Sequence, residues 1–381
     1  MARKRGSWPD GQVAILEHDS RILADNPLGD ASLRRFPVWL PPGYGNTTGS
    51  GGSRARGRKL PVLFDLTGYT GSGWSHTNWQ NFAENVPERL ARLLHEGRIA
   101  PCIVVFPDCF TALGGNQYIN SSAIGDYADY LTRELIPFID AEFLTHGDRE
   151  HRGCFGKSSG GYGAMIHGMR YPRFWGAIAN HSGDAYFDFV YRSAWPETLT
   201  HLARYRRPAL KEGRVKQWER SPERDAEGGS PQDGAGCDDG RIKRFLDDVW
   251  QREKLDGTEI MTLMNLCMAA SYDPDPKAPN GFRVPFDLDT GELIPNRWRA
   301  WLRHDPVHLV RRFAGNLKRL RGIYIDCGWK DQYHIHYGSR ILSRELHRAG
   351  VEHRYEEFDG THSGIDHRMD QSLPFLSKAL K

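Results

Sequence analysis

Apolar residues along this chain arrive in two alternating rhythms. KLPVLFDL (59–66) and APCIVVFPD (100–108) are short unbroken runs next to Gly, Pro or Asp, and their length favours buried strands over helices. Elsewhere the apolar positions recur at helical spacing, in NWQNFAENVPERLARLLHE (78–96) and in DYADYLTRELIPFIDAEF (126–143). The second of these is predicted to kink or break at Pro137, which lacks the donor a helix interior needs. HRGCFGKSS (151–159) reads as a short strand, GYGAMIHGMRYP (161–172) as a helix stopped by Pro172, and FWGAIANHSGD (174–184) as a further strand. Strands alternating with helices predict an α/β fold whose mostly parallel sheet is covered on both faces.

The alternation then stops. From 185 to 315 the pattern offers helices, such as RIKRFLDDVWQREKL (241–255) and TEIMTLMNLCMAASY (258–272), and no apolar run of the earlier kind. Strand rhythm resumes with RGIYIDCG (321–328), a helix around 337–349, HRYEEF (353–358), the turn DGTHSG and a terminal helix. The expected organisation is one sheet built from 1–184 and 316–381, interrupted by a large, mainly helical cap at 185–315. Inside that cap, 221–240 is rich in Gly, Pro, Ser and Asp, which predicts a flexible loop.

Candidate chemistry concentrates in GCFGKSSGGYGA (153–164). A Walker phosphate loop would need glycine five residues before Gly156-Lys157-Ser158, and His151 stands there, so that reading fails. Gly-Lys-Ser-Ser-Gly instead satisfies the G-x-S-x-G turn between a strand and a helix, a sharp bend that presents a serine nucleophile. The bend leaves no room two residues before and after the serine. Ser158 has Gly156 and Gly160 at those positions, whereas Ser159 would have Lys157, so Ser158 is the candidate.

A serine nucleophile needs a base, and the base an orienting acid. Asp331 follows the strand ending IDCG and His362 sits in GTHSG after the next strand, so both fall on loops at one edge of a parallel sheet. Asp326, inside its strand, is the second candidate acid and reads as structural. His353, His367 and the pair His334 and His336 read as surface or rim histidines, and a lone H-x-H predicts no metal. Backbone amides of Ser159 and of Tyr69, in LTGYTGSG, are the candidate oxyanion donors. Asp184, Tyr186 and Trp329 are candidate pocket residues; His181, Trp195, Trp298 and Trp301 are further candidates that read at least as well as loop or core packing.

Composition narrows the picture without adding chemistry. Across 381 residues, 51 Lys and Arg stand against 48 Asp and Glu, which gives no reason to expect nucleic acid or an anionic membrane as partner. The basic MARKRG start is followed by Trp8, Pro9, Asp10 and Gly11 where an export signal needs apolar residues, and no segment approaches a membrane span. Six scattered cysteines read as free thiols, so the expectation is a cytoplasmic protein.

On these residues the chain resembles the esterase D group of α/β-hydrolases, which includes S-formylglutathione hydrolases, siderophore trilactone esterases, feruloyl esterases and mycolyltransferases. LTGYT resembles that group's oxyanion turn, DYLTRELIPFID its helix before the elbow, GKSSGGYGA its elbow, and IDCGWKD with GTHSG its acid and histidine loops. The resemblance covers 10–190 and 316–381. It implies an α/β-hydrolase fold and a serine carboxylic-ester hydrolase acting through an acyl-enzyme on a small or medium-sized ester, without cofactor. An acyltransferase or a thioesterase would use the same residues, and a homo-oligomer is compatible with the reading. The long insertion 185–315 departs from compact members, and Lys157 stands where the group more often has an uncharged residue, in a role the sequence does not define.

Overall fold

The computed structural model describes residues 8–45, 57–206 and 238–381. Eight strands form one sheet: β1 (Gln12–Asp19), β2 (Leu33–Leu40), β3 (Val62–Leu66), β4 (Ile103–Val105), β5 (Arg152–Lys157), β6 (Ala177–His181), β7 (Gly322–Gly328) and β8 (Arg354–Phe358), in the order β1-β2-β4-β3-β5-β6-β7-β8. β2 pairs antiparallel with β1 and β4, and every other neighbour is parallel. Strands β3, β4 and β6 are buried along their whole length, as strands covered on both faces must be.

The two faces carry separate apolar clusters. Leu63, Val104, Phe155, Ala179 and Tyr324 pack under the helices Val86–His95 and Met369–Ala379. Val62, Phe64, Cys154, Ile178 and Ile325 pack on the opposite face with Tyr162, Met165 and Met169 of the helix Ser159–Arg170. That second cluster continues without interruption into Phe187, Tyr191, Leu266, Tyr272 and Trp301, which lie between β6 and β7. The inserted helices therefore share the core of the sheet. They include Trp195–Leu202, Arg241–Val249, Gly257–Tyr272, Pro295–Leu302 and Pro306–Leu317. Most of the 221–240 stretch lies outside the described residues; Asp238, Asp239 and Gly240 lead directly into Arg241–Val249.

Two local expectations need correction, and two strands went unpredicted. The helix predicted from 78 begins only at Val86, where Asn85 and Glu88 form a reciprocal capping box and Pro87 occupies the first turn. Pro137 does not break its helix. Tyr130–Leu135 widens into a π-helical stretch that runs on into Ile136–Glu142, placing Pro137 at the start of the following helix, where its missing N–H is harmless. β1 and β2 escaped the apolar pattern because β1 is an edge strand with exposed and half-buried residues, and because Pro37 interrupts β2. The five described cysteines are all free and buried. Among the described residues no helix is long and apolar enough to cross a membrane.

Candidate active site

Ser158 joins β5 to the helix Ser159–Arg170 with φ 57° and ψ −124°. A side-chain-bearing residue in that region stores about 1–3 kcal/mol of strain and persists only where its surroundings dictate it. Here the Ser158 amide donates to the His181 carbonyl at 3.0 Å, and its own carbonyl accepts from the Tyr162 amide at 2.9 Å. The flanking glycines are sterically required. A Cβ on Gly156 would stand 2.2 Å from the Leu66 carbonyl oxygen, and one on Gly160 1.8 Å from the same atom.

Asp331 and His362 come together. His362 Nδ1 lies 2.7 Å from Asp331 Oδ2, with the carboxylate fully enclosed and the imidazole nearly so. The other carboxylate oxygen accepts from the Tyr333 amide at 2.9 Å, and the His362 amide donates to Gln332 Oε1 at 3.0 Å. The Tyr333 ring stands edge-on to the imidazole at 4.8 Å between centroids. With Nδ1 committed to Asp331, Nε2 is the nitrogen available to a serine proton. Both loops leave the carboxyl ends of adjacent parallel strands, β7 and β8.

The turn after β3 lies against the candidate nucleophile, since a Cβ on Gly68 would be 3.4 Å from Ser158 Cβ. Gly71 N–H closes that turn on the Gly68 carbonyl at 3.0 Å. Tyr69 buries its ring and donates its hydroxyl to the Leu113 carbonyl at 2.7 Å, while its amide meets no protein acceptor among the described residues. Ser159 opens the helix, so its amide has no carbonyl one turn back and carries the positive end of the helix dipole. These two amides are the candidate oxyanion donors.

Asp184 is buried beside the same site. Its Oδ2 accepts from the Tyr191 hydroxyl at 2.8 Å, and burial pushes its carboxyl up to about 6 despite that bond and the nearby His362. Tyr186 takes a left-handed backbone, φ 60°, held by Asp305, which also accepts from Phe187 and Val307. Its ring packs on Phe189 at 4.7 Å. Trp329 is half exposed, with the Lys330 ammonium 4.5 Å from its ring centroid. Trp195, Trp298 and Trp301 pack on one another in the core.

Asp326 belongs elsewhere. It pairs with His181 Nδ1 at 2.7 Å and with Arg368 Nε at 2.8 Å, and His181 Nε2 meets Ser372 Oγ at 2.8 Å. Burial pushes the Asp326 carboxyl up, but His181 and Arg368 outweigh it and leave the group below its ordinary value. Lys157 stands in register with His181, and His181 with Asp326. Lys157 thus alternates onto the face of Phe155, where it acts electrostatically on His76.

Of the other candidate histidines, His334 starts the helix Ile335–Arg348, His353 meets Ser343, His367 meets the Gly364 carbonyl, and His336, expected at the surface or rim, is buried with its ring tilted against Tyr337. His146, Asp148 and His151 gather before β5, but the two rings stack in parallel at 3.8 Å and His151 Nδ1 is already bonded to Asp148. Parallel stacked rings do not aim their in-plane lone pairs at one ion. Sequence reasoning missed Gln117 and Asp305, whose only local signals were a Gly-Gly-Asn-Gln-Tyr loop and an Asp-Pro helix start.

The family described as "Putative esterase" matches residues 32–370. Among curated proteins, an endo-1,4-beta-xylanase/feruloyl esterase of Xylanibacter ruminicola is 31% identical over 156 residues, 39% of this chain and 19% of that protein. Esterase Rv1288 of Mycobacterium tuberculosis is 33% identical over 139 residues, 35% of this chain and 27% of that protein. The chain therefore matches only a minor part of the length of either relative. Among solved structures, a ferulic acid esterase superposes with a TM-score of 0.56 at 17% identity, covering 97% of this chain and 99% of that one. An S-formylglutathione hydrolase from Staphylococcus aureus gives 0.53 at 14% identity, covering 97% and 100%. At such identities the likeness establishes the α/β-hydrolase-type fold.

Proposed function

Because the chain belongs to the putative esterase family, we propose that it is a serine carboxylic-ester hydrolase working through an acyl-enzyme on a small or medium-sized ester. Ser158 Oγ attacks the ester carbonyl while His362 Nε2 takes its proton, and the same nitrogen returns the proton to the departing alcohol. Asp331 fixes the tautomer and steadies the imidazolium. The Ser159 and Tyr69 amides hold the tetrahedral oxyanion, a contribution of about 2.7–4 kcal/mol per donor in comparable sites. Water then repeats the sequence on the acyl group. In this reading 1–184 and 316–381 form the catalytic core and 185–315 a cap over it.

The observation that carries the reading is the enclosed 2.7 Å pairing of His362 Nδ1 with Asp331, on loops at the same sheet edge as the strained Ser158. The partial match to a protein described as a feruloyl esterase supports placing feruloyl esters among the candidate substrates.

The test is hydrolysis of aryl, alkyl, feruloyl, lactone and thioester substrates by wild type and Ser158→Ala, with and without an alcohol acceptor. Loss of all turnover in Ser158→Ala, with a covalent acyl adduct trapped on the wild-type serine, is the expected result. Full activity in the alanine variant removes the assignment. Preference for the thioester, or transfer to the alcohol in place of water, redirects it to a thioesterase or an acyltransferase.

A further inference from the structure

Between β4 and the helix that starts at Tyr127, a loop is wedged against both candidate oxyanion donors. On the Tyr69 side, Gly115 packs so closely that a Cβ there would stand 2.2 Å from the Tyr69 carbonyl oxygen, and Leu113 accepts the Tyr69 hydroxyl. Tyr118, itself left-handed at φ 57°, donates its hydroxyl to the Thr67 carbonyl at 2.7 Å, just before the turn. On the Ser159 side, buried Gln117 donates Nε2 to Ser159 Oγ at 2.7 Å. The loop is anchored from behind by the elbow helix, where His167 Nε2 meets the Tyr118 carbonyl at 2.8 Å, and by Cys267, which donates to the Gly115 carbonyl at 3.3 Å.

The orientation of the Gln117 amide is dictated rather than free. Its Nε2 also approaches Asp184 Oδ2 at 3.5 Å, and that oxygen already accepts from Tyr191, so a carboxylate faces the amide and selects its NH2 end. The cost is visible at the other end, because Gln117 Oε1 is buried with no partner among the described residues. Leaving a buried acceptor unpaired costs about 1–3 kcal/mol. A side chain serving packing alone would gain by being apolar.

Resting on the oxyanion assignment above, we propose that Gln117 is a positioning residue: it locks Ser159, while its loop locks Tyr69, so that the two amides are held as one rigid pair. Preorganised donors stabilise the transition state because they need no reorganisation when charge develops. A loosened donor is felt in kcat and little in KM, since the ground-state carbonyl uses it weakly.

The experiment is steady-state kinetics with 4-nitrophenyl acetate on Gln117→Met, Ser159→Ala and the double variant, each checked for an unchanged melting temperature. Gln117→Met is expected to lower kcat about 10- to 100-fold, less than outright loss of a donor, with KM within about twofold. Ser159→Ala removes the same contact from the other end, so the double variant is expected to be no slower than the worse single one. Should Gln117→Met not fold, Gln117→Leu, which also removes the donor without adding a charge beside Asp184, is expected to give the same kcat-only loss. A kcat for Gln117→Met within twofold of wild type, or losses that multiply in the double variant, overturns the proposal. Residual full activity in Ser158→Ala would instead overturn the underlying assignment, leaving the two failures distinguishable.

Discussion

The backbone amide of Ser158 is held by the carbonyl of His181, the last residue of the neighbouring strand, at 3.0 Å. The positive φ of Ser158 thus rests on a residue whose ring is tied, on the far face of the sheet, to Asp326 and Ser372. His181→Leu removes both ring contacts and leaves Asp326 with Arg368 and Tyr324 alone. Removing the hydrogen-bond partner of a buried polar group typically costs about 1–3 kcal/mol, and the surviving partners of Asp326 keep this case within that range. Urea unfolding measures it; a loss below about 1 kcal/mol would mean that the network carries little.

The two acids separate by the kind of damage they cause. Asp331→Asn keeps the fold but presents the wrong partner to His362 Nδ1, and kcat is expected to fall up to about 10⁴-fold. Asp326→Asn leaves the His362 contact alone, so its main effect is a lower unfolding free energy. Kinetics and denaturation on both variants check the assignment; a large kcat loss confined to Asp326→Asn would reverse it.

Gly160→Ala drives a methyl group into the Leu66 carbonyl, and neither backbone can yield without moving Ser158. A loss of at least about 3 kcal/mol is expected. Gly315 gives the contrast, because it lies exposed in the helix Pro306–Leu317 with nothing within 4 Å of its Cβ position. Gly315→Ala is expected to stabilise by about 0.5–1 kcal/mol. Denaturation of both variants compares the two directions.

Asp184 confers a pH dependence. Its carboxyl is raised from 3.8 to about 6, chiefly by burial, so between those values the folded protein keeps a proton that the unfolded chain has released. Its contribution to stability is complete below pH 3.8 and is lost as pH rises through about 6. The unfolding free energy of wild type minus that of Asp184→Asn is therefore expected to drop by about 2–3 kcal/mol between about pH 4 and pH 8. Urea denaturation of both proteins across that range measures the difference; a flat profile would contradict it.

Ser158 was legible as a candidate because its motif is a steric demand: Gly156 and Gly160 face backbone oxygens that admit no side chain. Asp331 and His362 were legible as candidates because Asp331 follows the buried β7, His362 follows the half-exposed β8 beside it, and each precedes a helix, which puts both on one edge of a parallel sheet. Asp326 is five residues from Asp331 and differs only in lying within its strand, on the face of Tyr324, where alternation turns it toward His181. Gln117 was invisible. Its meaning depends on Ser159 and Asp184, 42 and 67 residues away, and no local pattern encodes such partners. The same holds for Pro137, tolerated because the turns before it widen, and for β1, which hydrogen bonds to β2 alone.

The long excursion between β6 and β7 also bears on how the chain reaches this state. β6 ends at His181 and its parallel neighbour begins only at Gly322, so during synthesis β6 emerges with one hydrogen-bonding edge open. Closing so wide a loop before any pairing energy returns makes this a slow step, and an open apolar edge invites association with other nascent chains. Refolding at high protein concentration is where that vulnerability surfaces, as aggregates seeded at the exposed β6 edge.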